Sequence, residues 1–426
     1  MEWRTRYVLK SYLRSSMWLA PLAAYVVSLV AIRVLGWMDD RLQWQWAWQL
    51  SVDVVQNVLQ MFVAAMLSFI VFTFSSLLVA IQIASAQLTP RIIATTLLRD
   101  HTIRLTAALF VLSFVFDLGL LARTQTAVLY VPLTVSLVLT MTSIGAFLYL
   151  MDYAARLLRP VSIVWRLGEE GLKVIDEVYP AKIKGPHVPT VPMPPLGPPA
   201  REIPHAGKSA IILAVHFDTL RLEAERAGGI VEIAFRVGDF VATGETLFRL
   251  YGASAAAADG GRLRAAVAMG PERTIEQDAT FALRVIVDIA IKALSRAIND
   301  PTTAVLAIDQ LHRLLRAVGR RHLHDDVIRD ASGQMCVLFR TPDWTDFVQL
   351  SCREIRLYGA ENFQVARRLR AMLENLQKAL PEARRAALRE ELELLDGTLE
   401  RSNTLPQDLT LARTPDLQGL GAGLRS

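Results

Sequence analysis

The sequence predicts a membrane α-helical protein in which four transmembrane helices are followed by a cytoplasmic α+β region. The 426 residues are 52% hydrophobic and have a mean hydropathy of +0.31, which is high for a chain without lipid-covered segments. The apolar residues are also concentrated in the first third of the chain. They form four stretches there, at about residues 17–37, 54–81, 105–122 and 126–151. Each is long enough to cross the roughly 30 Å hydrocarbon layer as a helix.

The distribution of basic residues predicts the orientation of these spans. Lysine and arginine resist translocation and therefore concentrate in cytoplasmic segments. Basic residues precede the first span, separate the second from the third and follow the fourth: Arg4, Arg6, Lys10, Arg14, Arg91, Arg99, Arg104, Arg156, Arg159 and Arg166. The other two loops contain only Arg41 and Arg123. Both termini are therefore expected in the cytoplasm.

Composition divides the chain into six predicted segments. They are a transmembrane domain at 1–151, an amphipathic helical extension at 152–180, a proline-rich linker at 181–207, a small β module at 208–253, a helical domain at 262–401 and a flexible tail at 402–426. The proline content predicts an extended linker. Turn signals at Gly228, Gly238 and Gly244 separate short apolar runs and indicate strands.

The β module resembles the strand-turn-strand of barrel-sandwich hybrid domains, which include the biotinyl and lipoyl carriers. The resemblance rests on residues 229–248, Gly-Ile-Val-Glu-Ile-Ala-Phe-Arg-Val-Gly-Asp-Phe-Val-Ala-Thr-Gly-Glu-Thr-Leu-Phe. The carriers attach their cofactor to a lysine at a hairpin tip. No lysine lies between Lys208 and Lys292. The resemblance therefore implies a fold without a prosthetic group, and no cofactor is expected.

Polar residues form a stripe along the second span. On a helical wheel with about 100° per residue, these polar residues fall within a sector of about 120°. The predicted helix that carries them ends before Pro90. The stripe includes Gln56, Gln60, Ser68, Ser75, Gln82 and Ser85, with Leu67, Val71 and Leu78 between them. An amide or hydroxyl facing lipid is costly unless it has a partner, so this face should meet protein or water.

Two interpretations of the stripe remain open. It is either the inward seam of a helix bundle, where small and polar residues permit close packing, or the lining of a pore surrounded by several copies. In the second interpretation, Leu67, Val71 and Leu78 form a hydrophobic constriction that gates by dewetting. Serine hydroxyls can also bond back to their own helix, which weakens both interpretations.

Two charged residues lie inside the predicted spans. Arg33 and Asp117 each lie near the outer end of a span, so their depths match. Charges at this depth should pair or extend to the headgroups. We expect either an intramembrane Arg33–Asp117 ion pair or two side chains that reach the headgroups independently.

A polar cluster flanks one helix of the predicted cytoplasmic domain. It contains Arg273, Glu276, Asp278, Asn299 and Asp300. Asp300 before Pro301 has the pattern of an N-cap followed by a proline at the first helical position. The cluster is therefore either a binding or assembly site for a small anion or a partner, or a set of helix caps and surface charges.

The remaining sequence contains no motif typical of an enzyme. No phosphate-binding glycine loop, nucleophile elbow or metalloprotease motif is present, and two cysteines cannot form a four-cysteine metal site. The spacing of His322, His324, Asp325 and Asp326 suits a divalent metal but equally suits a solvated loop. The basic run at 367–370 lacks the aromatic residues typical of single-stranded nucleic-acid binding. No catalytic residues, resident metal or nucleic-acid partner are expected.

Three features resemble a bacterial family of membrane proteins, domain of unknown function 2254. They are the order of the four spans, the second-span run from Phe72 through Ser75, Gln82 and Ser85 to Arg91, and the cytoplasmic motifs at 273–278 and 293–301. The resemblance covers nearly the whole chain except the tail. It implies this topology and a bacterial inner-membrane location, and it implies no activity.

These observations lead to one functional hypothesis and one rival. The hypothesis is a homo-oligomeric channel-like protein of the lipid bilayer, with the second span lining a pathway for ions or small solutes. The rival is a non-conducting scaffold or regulator whose cytoplasmic domain docks a partner.

Overall fold

The computed structural model describes residues 3–42, 50–87, 100–125, 127–157, 159–183, 196–252, 257–323 and 326–421. The chain forms two compact units. The membrane unit comprises Ser11–Ala86 and Pro90–Ser162. The second unit comprises Met1–Lys10, Gln87–Thr89 and Ile163–Ser426, and is called the α+β unit below.

Four helices are long and apolar enough to cross a membrane, as the sequence predicts. They are α2 (Leu19–Leu42), α3 (Val52–Gln87), α4 (His101–Arg123) and α5 (Tyr130–Leu157), and a shorter α1 (Trp3–Ser15) precedes them. Asp100 caps α4 by accepting the amides of Thr102 and Ile103, at 2.9 and 3.2 Å. Tyr153 also donates its hydroxyl to Asp100, at 2.5 Å, and so ties α5 to the start of α4.

The membrane unit is built mainly on α2, α4 and α5, which pack directly against one another. Their shared core includes Ile32, Phe116 and Leu120. Helix α3 contributes large side chains to the unit; for example, Phe69 stacks on Phe147 of α5 with the ring centroids 4.6 Å apart. It therefore packs through one face and leaves the opposite face uncovered.

The predicted inward extension of the fourth span is a separate helix in the structure. Helix α5 ends at Leu157, and α6 (Pro160–Val178) begins at Pro160, so two residues lie between the two helices. Proline suits a first helical turn because its φ is already helical and its missing amide proton is not needed there. The amphipathic pattern predicted at 152–180 is therefore divided between two helices. Residues 184–195 of the predicted linker lie outside the described residues, and residues 201–204 form a strand.

Two small sheets form the β part of the α+β unit. Their strands are β1 (Arg201–Pro204), β2 (Ala210–Val215), β3 (Ile230–Ile233), β4 (Phe240–Val241), β5 (Thr246–Tyr251), β6 (Val267–Gly270), β7 (Val327–Arg329) and β8 (Met335–Leu338). One sheet has the order β1-β5-β3-β8-β7 and the other β4-β2-β6. Only the β3–β8 pairing is parallel; there, Val231 lies opposite Val337.

The strands extend beyond the β module predicted at 208–253. Strand β1 precedes it, β6 follows it, and β7 and β8 come from the segment predicted as a helical domain at 262–401. The parallel pairing of β8 with β3 joins these two segments in one sheet, so the predicted boundary between them is corrected. Strands are present on both sides of the predicted turns: β3 and β5 pair antiparallel, and β4 between them pairs with β2 in the other sheet. The barrel-sandwich class stays a prediction.

Eight helices complete the described part of the α+β unit. They are α7 (Phe217–Ala227), α8 (Gly260–Ala265), α9 (Ala279–Ala293), α10 (Pro301–Val318), α11 (Trp344–Gly359), α12 (Phe363–Ala379), α13 (Arg385–Ser402) and α14 (Pro406–Ala412). Helix α9 lies at the centre, packed between α10 and α11, and most of its residues are buried. The helical path breaks at Pro381 between α12 and α13, and α13 continues through Gly397.

The segment predicted as a flexible tail at 402–426 is ordered over its described residues. Helix α14 lies within it, and the backbone beyond α14 bonds to α12. Arg367 of α12 donates to the carbonyl oxygens of Thr414 and Gly421, at 2.9 and 3.0 Å. A buried arginine thus holds this segment in place, which the tail's lack of periodicity did not reveal.

Candidate functional site

The polar stripe of α3 lies on the face that its own chain leaves uncovered. Four of its polar members are exposed in the single chain: Gln60, Ser68, Ser75 and Gln82. The opposite side of the helix carries the buried residues Val55, Leu59 and Met66, which pack into the membrane unit. The stripe is therefore not the inward seam of its own subunit over these positions.

Two predicted lining residues have hydrogen bonds within the subunit. Gln56 is half-buried and donates its amide to the carbonyl oxygen of Thr124, at 2.5 Å. Ser68 donates back to the carbonyl oxygen of Ala64 in its own helix, at 2.8 Å. Gln56 thus belongs to the edge of the bundle, while Ser68 has a local partner that lowers its cost in lipid. The side chain of Ser85 lies outside the described residues.

The apolar part of the stripe is exposed as well. Leu67, Val71 and Leu78 are 50%, 57% and 61% exposed. They follow one another along α3 on the same face as Gln60 and Gln82. The uncovered face thus has amide side chains towards its two ends, while in its middle Leu67, Val71 and Leu78 alternate with Ser68 and Ser75.

The ion pair expected between Arg33 and Asp117 is not present in the structure. Asp117 is 0% exposed and faces α5, where Ser136 donates to it at 2.5 Å and Thr140 at 3.4 Å. Arg33 lies at an exposed position of α2 and makes no ion pair with Asp117. Hydroxyl groups, rather than the arginine, therefore meet the hydrogen-bonding needs of this carboxylate.

Asp117 belongs to a buried polar seam between α4 and α5 that was not identified from the sequence. One helical turn away, Ser113 and Ser143 share a hydrogen bond of 2.8 Å. The spacing of Ser136, Thr140 and Ser143 along α5 is that of one helix face, so the same wheel that identified the stripe on α3 would have shown this seam. Interhelical hydroxyl bonds of this kind stabilise transmembrane bundles.

The cytoplasmic cluster predicted from the sequence is divided between the two ends of α9. Asp278 caps the start of α9, whereas Asp300 caps α10 by accepting the Thr303 amide at 3.1 Å. The 15 residues of α9 separate these caps by about 22 Å along the helix axis. Asn299, with a φ of 48°, forms the bend before α10. The five residues therefore do not form one site, and Asp300 serves the capping role that was the alternative.

The Asp278 end of the cluster is a compact charged arrangement beside a turn. Arg273 donates to the carbonyl oxygen of Gly238 at 2.7 Å, and its Nε lies 3.9 Å from Oδ2 of Asp278. Gly238 has a φ of 95°, and a Cβ there would lie 2.5 Å from both the arginine and the carboxylate. Burial raises the pKa of the Asp278 carboxyl above its usual range. Glu276 lies beside it at the wall of a cavity.

The family model described as "Predicted membrane protein (DUF2254)" matches residues 14–375 of this chain. The chain belongs to this family. Uncharacterized proteins of Mycobacterium tuberculosis (strain H37Rv) and Mycobacterium bovis are each 28% identical to it over 416 residues, which cover 93% of this chain and 78% of the relative. No solved structure matches it. The resemblance drawn from the sequence is thereby confirmed, and with it the assignment as a membrane protein.

The other reactive side chains of this DUF2254 protein are buried or belong to loops. Burial raises the pKa of Cys336 and of Cys352, so both thiols stay protonated at neutral pH. His324 and Asp325, two of the four possible metal ligands in the His322 loop, lie outside the described residues. Over the residues that are described, no group of three or more histidine, cysteine or acidic side chains is placed to hold a metal ion.

Proposed function

We propose that this DUF2254 protein is a homo-oligomeric channel-like protein of the bacterial inner membrane. In this proposal, α3 helices from several copies surround a pathway for ions or small solutes. Both termini and the α+β unit lie in the cytoplasm, where the α+β unit assembles or gates the pathway. No catalytic role is assigned to any residue.

The observation that carries the proposal is the uncovered polar face of α3. Gln60 and Gln82 are exposed on a helix of 36 residues, about 54 Å long, so at least part of the stripe lies within the hydrocarbon layer. An amide in contact with acyl chains lacks the hydrogen bonds it makes with water. Contact with further copies of α3 around a wetted space provides both a protein cover and water.

The apolar middle of the face supports a gated pathway. Side chains such as Leu67 and Val71 around a narrow pore favour a dry state, because water in a small hydrophobic neck loses hydrogen bonds. Substitution by serine supplies a hydrogen-bonding group and favours wetting. Serine at either position is therefore expected to increase conductance.

The experiment is single-channel recording of the purified full-length protein in planar bilayers. Leu67→Ser and Val71→Ser should raise the open probability or the leak conductance relative to wild type. Met61→Ser is the matched control because Met61 is 62% exposed but lies about 80° further round the helix than Val71, and about 20° beyond Ser68 at the edge of the stripe. This control should conduct as wild type does.

Two results would reject conduction through α3. One is the absence of current from wild type and both serine variants while all three proteins remain folded. The other is an equal change in Met61→Ser. Either result leaves the rival, a non-conducting scaffold or regulator whose cytoplasmic domain docks a partner. A monomer in native mass spectrometry would reject the channel but not this rival, because one α3 helix cannot enclose water.

A further inference from the structure

A cavity of about 630 Å³ lies within the α+β unit. The end of α6, the ends of β2 and β3, the start of α9 and the segment after β8 enclose it. Its volume is within the range of about 300–1,000 Å³ that small-molecule sites occupy. The lining residues form two groups that differ in chemistry, and that difference indicates the class of ligand.

One wall of the cavity is aromatic and aliphatic. Phe217 and Phe339 lie side by side with ring centroids 4.8 Å apart, and Phe235 and Val237 continue the same wall. Phe217 is only partly buried although it belongs to the edge of the hydrophobic core. Such a wall suits an apolar body, and the faces of its rings are electron-rich.

The second group of lining residues is acidic. Three carboxylates, those of Glu177, Glu276 and Asp278, line the cavity against a single guanidinium, that of Arg340. Counting Arg273, which lies behind Asp278, leaves one negative charge in excess. The negative surroundings also affect Tyr179, because burial and the nearby carboxylates of Asp278 and Asp326 raise the pKa of its phenol.

Among these acidic residues, Asp278 is the one that most needs a hydrogen-bond donor. It is 5% exposed, and its Oδ1 accepts the Phe281 amide at 3.0 Å as the cap of α9. Its Oδ2 has no hydrogen-bond donor among the described residues. The nearest cation, Arg273, lies 3.9 Å away and already donates to Gly238. A buried carboxylate oxygen without a donor is costly, and a positive charge placed near it lowers that cost.

We propose that this cavity binds an organic cation, an ammonium or amidinium group attached to an apolar body. The cationic group lies near the carboxyl groups of Glu177, Glu276 and Asp278, and the body lies against Phe217 and Phe339. An anion is disfavoured by the excess of carboxylates. The cation–aromatic attraction adds to the charge attraction at this site. This site does not depend on the proposed conduction through α3.

The test uses three benzyl compounds that differ in charge: benzylammonium, benzyl alcohol and benzoate. Binding to the full-length protein in detergent at pH 7.5 is measured by saturation-transfer NMR and isothermal titration. Benzylammonium should bind at least about tenfold more tightly than benzyl alcohol, which corresponds to one charge-assisted contact. Benzoate should bind more weakly than the alcohol. Equal affinities for the three compounds, or no binding of any, would overturn the proposal.

Variants locate the site. Asp278→Asn keeps a capping side chain but removes the charge, and should abolish the preference for benzylammonium over benzyl alcohol. Asp300→Asn makes the same change at the cap of α10, outside the cavity, and should leave the preference unchanged. Phe217→Leu should weaken benzylammonium several-fold and benzyl alcohol less. A preference that survives Asp278→Asn, or that Asp300→Asn also removes, would contradict the assignment.

Discussion

Asp117 shows how one residue can be constrained by groups on a neighbouring helix. Its carboxylate is fully buried in the membrane unit, and Ser136 and Thr140 of α5 donate to it. The matched depths of Arg33 and Asp117 suggested an ion pair, but depth fixes only the position along the membrane normal. The direction around each helix decides the partner, and Asp117 points towards α5.

The Asp117 site predicts different effects for two substitutions. Asp117→Asn retains an oxygen that can accept from Ser136, so it should leave the free energy of unfolding nearly unchanged. Asp117→Leu removes the acceptor and leaves a buried hydroxyl without its partner, at a cost of about 1–2 kcal/mol. Thermal unfolding of the detergent-solubilised protein measures both. If Asn destabilises the protein as much as Leu does, the hydrogen-bond account is wrong.

Residues near helix starts were the most predictable. Asp300 before Pro301 was identified from the sequence as an N-cap with proline at the first helical position, and the structure confirms it. Capping depends on neighbours within four residues, so the sequence contains the information. The orphaned oxygen of Asp278 was not predictable, because it depends on Gly238 and Arg273, which are distant in the chain from each other.

At the scale of elements, α6 approaches α10 closely because of two glycines. A Cβ at Gly168 would lie 2.4 Å from Oε1 of Gln310, and a Cβ at Gly171 would lie 2.9 Å from Leu314. Leu314 is fully buried, so its side chain has little room to move. The glycines therefore set the distance between these helices, although glycine lowers helix propensity.

Two glycine substitutions should change stability in opposite directions. Gly171→Ala forces Leu314 to shift in a packed core and should lower the free energy of unfolding by about 1–3 kcal/mol. Gly397→Ala, within α13, meets nothing within 4 Å and should raise it by roughly 0.5–1 kcal/mol through helix propensity alone. Thermal unfolding compares the two. A stabilising Gly171→Ala would show that the helices can separate without cost.

The sheets mark the limit of prediction at this scale. The turns at Gly238 and Gly244 were identified because a positive φ favours glycine, and both glycines have φ values above 90°. The pairing of β3 with β8 joins residues about 100 positions apart, Val231 and Val337. No local pattern specifies such a partner. The sequence indicates a short strand at 333–340, where β8 lies, but it gives no partner for that strand and no sign of β7.

At the scale of the whole molecule, the sequence separated the membrane spans from the rest of the chain. Hydropathy is a sum over about 20 residues and survives errors at single positions, which is why all four spans were found. The order of the C-terminal segment was not predicted, because it does not depend on a local pattern. It has little periodicity, and its order comes from contacts with Arg367 and Asp396 of other helices.

The C-terminal segment should act as a structural part of the α+β unit. Ending the chain at Asn403 removes the two carbonyl acceptors of Arg367, and hydrogen bonds to charged groups contribute about 1.5–3 kcal/mol each. The truncated protein should therefore melt at a lower temperature, and the amides of α12 should exchange faster. Gln407→Ala, at an exposed position of α14, is the matched control and should behave as wild type.

A double-mutant cycle tests whether this effect passes through Arg367. Arg367→Gln should destabilise the full-length protein more than the truncated one, because truncation has already removed the acceptors of its guanidinium. A coupling free energy of about 0.5–3 kcal/mol is expected for residues in one hydrogen-bonded network. Additive effects would show that the segment stabilises the unit by apolar burial alone. An unchanged melting temperature on truncation would mean that the segment is not needed for the fold.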